Sequence, residues 1–474
     1  MTEIIKVRDS QIFSPQHQND FAELSGDSNP LHMDLEYGRK SLFGHTIVHG
    51  AHLVLWSLNI FFKKNISNGI IDSLSSEFRN PVKVGEEATV FIDKSSPKNI
   101  KIEIKVKHKL CSIITFALSE KEKEVKLDLP SKNPTTDKAI HLKESELHPN
   151  RGELEMFLNT ERFSKLFSNI NIENYRLCVL MMTVSRLSGM HCPGLNSVFF
   201  RINLSKKDAV ENCSSVFSYN TEKYDHRFRK LLLKANTDDF ETTITSFVRP
   251  EPVVQPNYKT VSEYALTLKS PMRALIIGGS RGLGEVTAKI LAASKAEVCI
   301  TYHRSESEAR LLKEEIFNDG GFCHSLKFDA TNPVLDPFLN DWNPTHVFYF
   351  ATPYIFDGSA GGFSTSLYEK FSNYYVTGFN HCLELFANQE TSLKVFYPSS
   401  VAVDSKPPSM GEYVAAKLAG EYLCEFLQKS ISNLSIHIER LPRIETDQTV
   451  SFYPVENKSP LEVMLEVLKR FLKG

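Results

Sequence analysis

Two textures of apolar and polar residues divide the chain. From Met272 onward, short apolar runs alternate with helical stretches: ALIIGG (274–279), EVCITYH (297–303), HSLKFDA (324–330), HVFYFAT (346–352) and LKVFYPSS (393–400). Runs of this length, bounded by turn residues, predict buried parallel strands. Glu285–Ser294 and Ser305–Phe317 predict helices between them. Strand–helix alternation predicts an α/β, Rossmann-type doubly wound sheet.

Upstream the pattern changes. A short helix at about Asp20–Ser25 leads into a polar loop, and a longer apolar helix is predicted at roughly Thr46–Phe62. Strand patterns follow in IIDSLSSEFRN (70–80), EEATVFIDKSS (86–96), NIKIEIKVKHK (99–109) and CSIITFALSEK (111–121). One long helix against an antiparallel sheet is an α+β arrangement. The order then returns with little identity. A helix near Arg176–Gly189 precedes LNSVFFRINL (195–204), SSVFSYNTEKY (214–224), FRKLLLKAN (228–236) and ETTITSFVRP (241–250). A structural duplication is expected. Polar joints fall at 131–143 (SKNPTTDKAIHLK) and 250–258 (PEPVVQPNY), and the three prolines of the second suit a linker. Three segments follow: 1–130, 145–255 and 260–474.

Composition changes this picture little. A hydrophobic share of 41% and a charged share of 24% let each segment bury a core. A net charge of -2 gives no reason to expect a nucleic-acid partner. The basic run Lys101–Lys109 alternates with Ile and Val, the period of a half-exposed strand. The eight cysteines include no CxxC pair, so neither a metal site nor a disulfide framework is indicated. Reduced thiols in a cytoplasmic protein are expected. MTEIIKVRDS lacks the apolar stretch of a signal peptide, and no apolar run is long enough for a membrane span.

The first candidate chemistry is IIGGSRGLG (276–284). A predicted strand runs into Gly278, Ser280, Arg281, Gly282, Leu283 and Gly284, and a helix follows. Glycines there allow backbone N–H groups to approach a pyrophosphate at a helix start. A glycine triplet alone also fits an ordinary turn; the strand–loop–helix context favours the nucleotide. The next strand ends in His303 and Arg304. Basic residues there accommodate a 2′-phosphate, and Arg281 adds another charge, so NADP(H) is expected over NAD(H). The alternative is that both arginines are solvated surface residues. Further on, Tyr413 and Lys417 stand four apart and share a helix face. An ammonium beside a phenol is expected to lower the phenol's pKa, which makes Tyr413 a proton donor to a carbonyl. Ser400, at a strand end, could hold the same oxygen.

With these pieces in order, residues 272–474 resemble a short-chain dehydrogenase/reductase, near the 3-oxoacyl-thioester reductase branch. PRIETD (442–447) matches the family's nicotinamide loop. The resemblance implies that Asp329 contacts adenine, that Ala351 lines the cofactor, and that Ile444 and Thr446 face the nicotinamide. There are departures. Asn-Ala-Gly after the fourth strand is replaced by FATP, with Ala351 and Thr352. The helix asparagine of the proton relay falls near Tyr375, with Asn373 two residues off, and Arg443 replaces a glycine.

The second candidate lies in FAELSGDSNPLH (21–32), where Asp27 and His32 stand five apart, with His49-Gly50 entering the apolar helix. A carboxylate and an imidazole can position and deprotonate one water, and a backbone N–H at a helix start can hold an oxyanion. A turn-capping Asp and a satisfied loop His fit the spacing equally well. The string FAELSGDSNPLHMD…GHTIVHGAHL is similar to the hydratase motif of MaoC-like hotdog enzymes. That resemblance implies Asp27 and His32 as the water-activating pair, Gly50 as oxyanion donor and Asn29 as loop-shaping. Ala51 stands where the family often has Met. MMTVSRLSGMHCPGLNSVFF (181–200) resembles a second hotdog unit without the Asp…His string, implying a non-catalytic half of a double hotdog. His191 and Cys192 lack a third member for nucleophilic chemistry.

The expectation is therefore a bifunctional enzyme. It reduces a 3-oxoacyl thioester with NADPH and interconverts the (R)-3-hydroxyacyl and 2-enoyl thioesters. The thioester rides on coenzyme A or acyl carrier protein. A homo-oligomer, dimer or tetramer through the reductase domain, is expected. Two rival readings are a reductase whose hotdog part only binds the acyl thioester, and a degenerate nucleotide-sensing protein.

Overall fold

A computed structural model describes residues 5–64, 66–96, 99–119, 129–132, 134, 137–207, 213–358, 360–386, 392–452 and 455–473. The end of the predicted strand 111–121 and parts of the joint at 131–143 lie outside the described residues. The chain forms two compact units, Met1–Glu251 with Ser451–Pro454, and Pro252–Val450 with Val455–Gly474. Among the described residues no helix is long and apolar enough to cross a membrane. The cysteines are free thiols, all but Cys213 buried.

The first unit is one ten-stranded sheet. Its strands are β1 (Ile5–Ile12), β2 (Ile70–Phe78), β3 (Glu87–Ser96), β4 (Asn99–Val106) and β5 (Lys109–Ser119), then β6 (Arg151–Glu155), β7 (Ser197–Lys206), β8 (Val216–Asp225), β9 (Lys230–Asn236) and β10 (Phe240–Val248). They lie in the order β1-β3-β4-β5-β2-β7-β10-β9-β8-β6. Read inward from either edge, the two halves carry the same order, each strand matched by the one five places later. The halves meet where β2 pairs antiparallel with β7, Leu74 opposite Leu204. Each half wraps one long helix, Gly50–Lys63 in the first and Tyr175–Arg186 in the second.

The alternating lysine run is part of β4, with Ile100, Ile102 and Ile104 fully buried and Lys101 exposed. The edge strands β1 and β6 were not anticipated. RGELE has three charged residues in five because an edge strand faces water, so the apolar pattern that marks central strands is missing. The apolar helix also begins later than its pattern suggests. Thr46–His49 are not helical, and Gly50 is the first helical residue. The polar stretch around His141 is tied to its own unit, with Ile140 N–H donating to Met190 O and His141 bridging to Gly194.

The second unit is a six-stranded sheet: β11 (Arg273–Ile277), β12 (Glu297–Tyr302), β13 (Cys323–Lys327), β14 (His346–Tyr349), β15 (Leu393–Ser400) and β16 (Leu434–Leu441). All neighbours are parallel, in the order β13-β12-β11-β14-β15-β16. The order reverses between β11 and β14, which opens a crevice beyond their carboxyl ends. β16 and the helix Pro460–Phe471 complete the unit beyond the five predicted strands. The domain is doubly wound α/β.

Candidate active sites

In the first unit the helix Pro15–Ser25 ends at Gly26, whose φ of 78° turns the chain left-handed and delivers Asp27 inward. Asp27 is 2% exposed. Asn29 shapes the loop: its Oδ1 accepts from Leu31 N–H at 3.0 Å, and its Nδ2 donates to Gly189 O at 2.7 Å. Pro30 starts the following turn and carries His32 round. His32 Nδ1 lies 2.8 Å from Ile47 O. A carbonyl only accepts, so Nδ1 carries the proton and Nε2 keeps its lone pair.

His49 is fully buried, its ring 3.9 Å from and nearly parallel to that of His32. Ligand-type atoms of Asp27, His32 and His49 lie within 4.8 Å of one another. The His49 nitrogens, however, sit 2.9 Å from Gln18 Oε1 and from Asp27 O. That leaves two free ligands, a poor fit for a metal ion.

Two residues of the second half complete the site. Ser185 Oγ donates to Asp27 Oδ2 at 2.6 Å. Gly189 lies against the carboxylate, and a Cβ there would be 2.2 Å from Asp27 Oδ1. Gly50, at the start of its helix, has an N–H with no intrahelical partner. A Cβ on it would press within 2.9 Å of Phe78 and 3.1 Å of Phe199. Ala51 is fully buried behind it.

Electrostatics pushes the pair toward neutrality. Burial raises the Asp27 carboxyl above its ordinary range, opposed by His32 and by the Ser185 hydrogen bond. Burial and then the neighbouring His49 lower His32 to about 3, and burial lowers His49 to about 3. At neutral pH both imidazoles are uncharged, and a raised carboxyl stands beside a free nitrogen base. His191 is held low by burial, and the Cys192 thiol is pushed up to about 12, which leaves no thiolate there.

In the second unit β11 runs into Gly278, whose φ is 79° and whose Cβ would lie 2.8 Å from Ala351 N. A Cβ on Gly284 would lie 2.3 Å from Gly278 O, so helix and loop touch through bare backbone. The helix Gly282–Ala293 starts without a side-chain cap. Its free N–H groups and this bare loop fit a pyrophosphate. Ser280 is buried and Leu283 half-buried beside them. Thr446 borders the cradle, 3.8 Å from where a Gly282 Cβ would sit, and Ile444 is buried behind it.

At the end of β12, His303 Nε2 is 3.7 Å from Asp329 Oδ2. Asp329 itself accepts from Thr331 N–H and hydroxyl. Arg304 is exposed, with no ion pair among the described residues. Arg281 departs from the reading of it as a second charge for a 2′-phosphate. Its Nη1 is 2.5 Å from Asp447 Oδ2, so a carboxylate already neutralises it.

Ser400 ends β15, where its Oγ accepts from Ala402 N–H, and it hydrogen-bonds Tyr413. The helix Gly411–Ser430 carries Tyr413 and Lys417, both buried. Lys417 does not lower the Tyr413 pKa as expected. Burial pushes that phenol up to about 12, and the Ser400 hydrogen bond is what opposes it. Lys417 Nζ instead donates to Pro398 O at 2.7 Å, and burial lowers it to about 7. Asn373 is exposed, while Tyr375 points inward and shares a 2.5 Å hydrogen bond with Thr352 Oγ1. Arg443 Nη2 donates to Thr449 O, bracing the 442–449 loop.

Ser185 and Gly189 escaped the sequence reading, and His49 entered it only as the residue before Gly50. The first two stand four apart on one strand of helical turns, a small-residue pair that marks a close approach but not its partner.

Residues 3–115 match the family described as MaoC like domain. A curated relative, the mitochondrial 3-hydroxyacyl-(acyl-carrier-protein) dehydratase of Arabidopsis thaliana, is 36% identical over 81 residues, 17% of this chain and 48% of the relative. The chain thus spans about half the length of the curated relative it matches. Similar solved structures include a dehydrogenase/reductase from Sinorhizobium meliloti 1021, 17% identical, covering 46% of this chain and 92% of that one with a TM-score of 0.38. A short chain dehydrogenase from Burkholderia cenocepacia J2315 in complex with NADP is 20% identical, covering 42% and 90% with a TM-score of 0.38. The N-terminal part of this chain, residues 3–115, is similar to MaoC-like domains.

Proposed function

We propose that the chain is a bifunctional acyl-thioester enzyme. Its first unit is read as a double hotdog that hydrates and dehydrates, and its second as an NADPH-dependent 3-oxoacyl-thioester reductase. The observation that carries the first half is the neutral His32, with a free Nε2, beside a buried Asp27 whose carboxyl is raised. In the hydration direction, the water oxygen bonds to the β-carbon of a 2-enoyl thioester as the C=C π bond breaks. His32 Nε2 takes the water proton, and Asp27 gives one to the α-carbon. Gly50 N–H holds the thioester oxygen while it bears charge. Run backward, the same steps expel water from the 3-hydroxyacyl thioester.

In the second unit Tyr413 donates the proton to the carbonyl oxygen, and Ser400 holds that oxygen in line. NADPH, when bound along Gly278–Gly284 with Arg304 and His303 toward its 2′-phosphate, supplies the hydride. The relative named for acyl carrier protein makes that carrier a candidate beside coenzyme A. The hydroxyl is assigned the (R) configuration, and a second copy of the chain is the expected partner.

Crotonyl-thioester hydration and acetoacetyl-thioester-dependent NADPH oxidation, measured on one preparation, test both halves. Asp27→Asn or His32→Ala is expected to cut hydration about a hundredfold or more and leave NADPH oxidation intact. Tyr413→Phe is expected to do the reverse. Unchanged hydration in the first pair would reduce the hotdog half to a binding module. Absence of NADPH oxidation in the parent protein would sink the reductase.

A further inference from the structure

Lys417 Nζ stands 3.8 Å from the ring centroid of Tyr375, 5.1 Å from that of Tyr397 and 6.0 Å from that of Tyr413. The three rings come from three elements: the wide turn Asn373–Gly378, β15 and the lysine's own helix. Their arrangement is fixed by hydrogen bonds at the far ends. Tyr375 OH is shared with Thr352 Oγ1 at 2.5 Å, and Tyr397 OH donates to Tyr375 O at 2.9 Å. Gly420 makes the second contact possible, since a Cβ there would lie 1.9 Å from the Tyr397 hydroxyl and 2.8 Å from Tyr375 O. Tyr375 and Tyr397 are both buried to within 2%.

The ammonium thus has one oxygen partner, Pro398 O, and aromatic faces. The charged and titratable groups around it are Glu421 and Cys424 on its own helix, with Glu421 tied to Ser399 and to Arg440, and the three phenols. A ring face attracts a cation, most strongly where water is excluded.

From this geometry we infer that Tyr375 is a positioning residue that holds Lys417 protonated and in place through its ring face, within a three-tyrosine box. The role rests on the reductase reading for its purpose but not for its physics. Burial lowers Lys417 to about 7, opposed by Cys424 and Glu421, and a ring face at 3.8 Å favours the cation in the same sense. Between about 7 and the unfolded value near 10.5, the unfolded chain holds a proton that the fold has released. Stability contributed through this group therefore rises with pH across that window.

The test uses the full chain without cofactor. Melting temperature is followed from pH 5.5 to 10 and referenced to Lys417→Met, which lacks the titration. A parallel series follows the NADPH dissociation constant against pH. Tyr375→Phe is expected to keep the Lys417 midpoint, because the ring remains. Tyr375→Leu is expected to lower it by about one pH unit or more. Should Tyr375→Leu fail to fold, phenylalanine carrying one, two or three ring fluorines at position 375 keeps the shape and weakens the ring face stepwise. The midpoint is then expected to fall in step. A midpoint that is the same with leucine, or that ignores the fluorines, overturns the inference. Failure of NADPH to bind would count against the reductase reading alone, since the melting series needs no cofactor.

Discussion

At the scale of single residues, the proposed hydratase site rests on what touches one carboxyl group. Ser185→Ala removes a hydrogen bond to the buried Asp27 carboxyl, a contact of about 0.5–1.5 kcal/mol. Hydration should fall by up to about tenfold, with its alkaline limb moved to higher pH, because Asp27 acts as the acid and that bond lowers its pKa. A pH–rate profile that does not move would refute the contact. Gly189→Ala drives a methyl into the Asp27 carboxylate and should abolish hydration while NADPH oxidation persists, measured on one sample. Asp27, His32 and Gly50 were legible in the sequence because they fall within one short string. Ser185 and Gly189 were not, because they reach the site from the other half, 158 residues from Asp27 in the serine's case. Tyr413 shows a second kind of blindness. Its spacing to Lys417 was readable, but whether its phenol is pushed up or down depends on burial, which spacing does not carry.

Elements explain the rest of what could be read. β11 to β15 stood out because their runs are continuously apolar, as strands covered on both faces must be. β1 and β6 did not, because sheet edges trade apolar pattern for charge. The helix that carries Tyr413 and Lys417 inward presents Leu418, Tyr422 and Phe426 outward, 41%, 72% and 55% exposed at i, i+4 and i+8. An apolar stripe of that spacing is where the proposed second copy would pack. Tyr422→Glu combined with Phe426→Glu should lower the mass seen by sedimentation. An unchanged mass would place the contact elsewhere, or show that there is none.

For the molecule as a whole, buried neutral histidines set the acid limit. His32 and His49 are lowered to about 3, and His52 well below its usual value. Below about pH 6.5 the unfolded chain takes up protons that these rings refuse, so stability falls as pH drops toward 3. Asp27, raised by burial, works the other way. His52 lies flat on Phe21 with its Nδ1 unpartnered. His52→Phe should therefore remove one of several such contributions, His191, His324 and His346 being lowered too, and make the acid-side fall in melting temperature shallower. An unchanged slope would mean that His52 is charged in the fold. The repeated strand order around the β2–β7 seam has a consequence of another kind. In a pair of identical subunits every mutation strikes twice, and each copy must satisfy both roles at once. Written twice in one chain, the same sheet lets the two copies inherit separately. Under the proposed function the first has to keep an acid and a base, and the second only a serine and a glycine. Drift in the second copy's loops can then proceed without erasing the reaction.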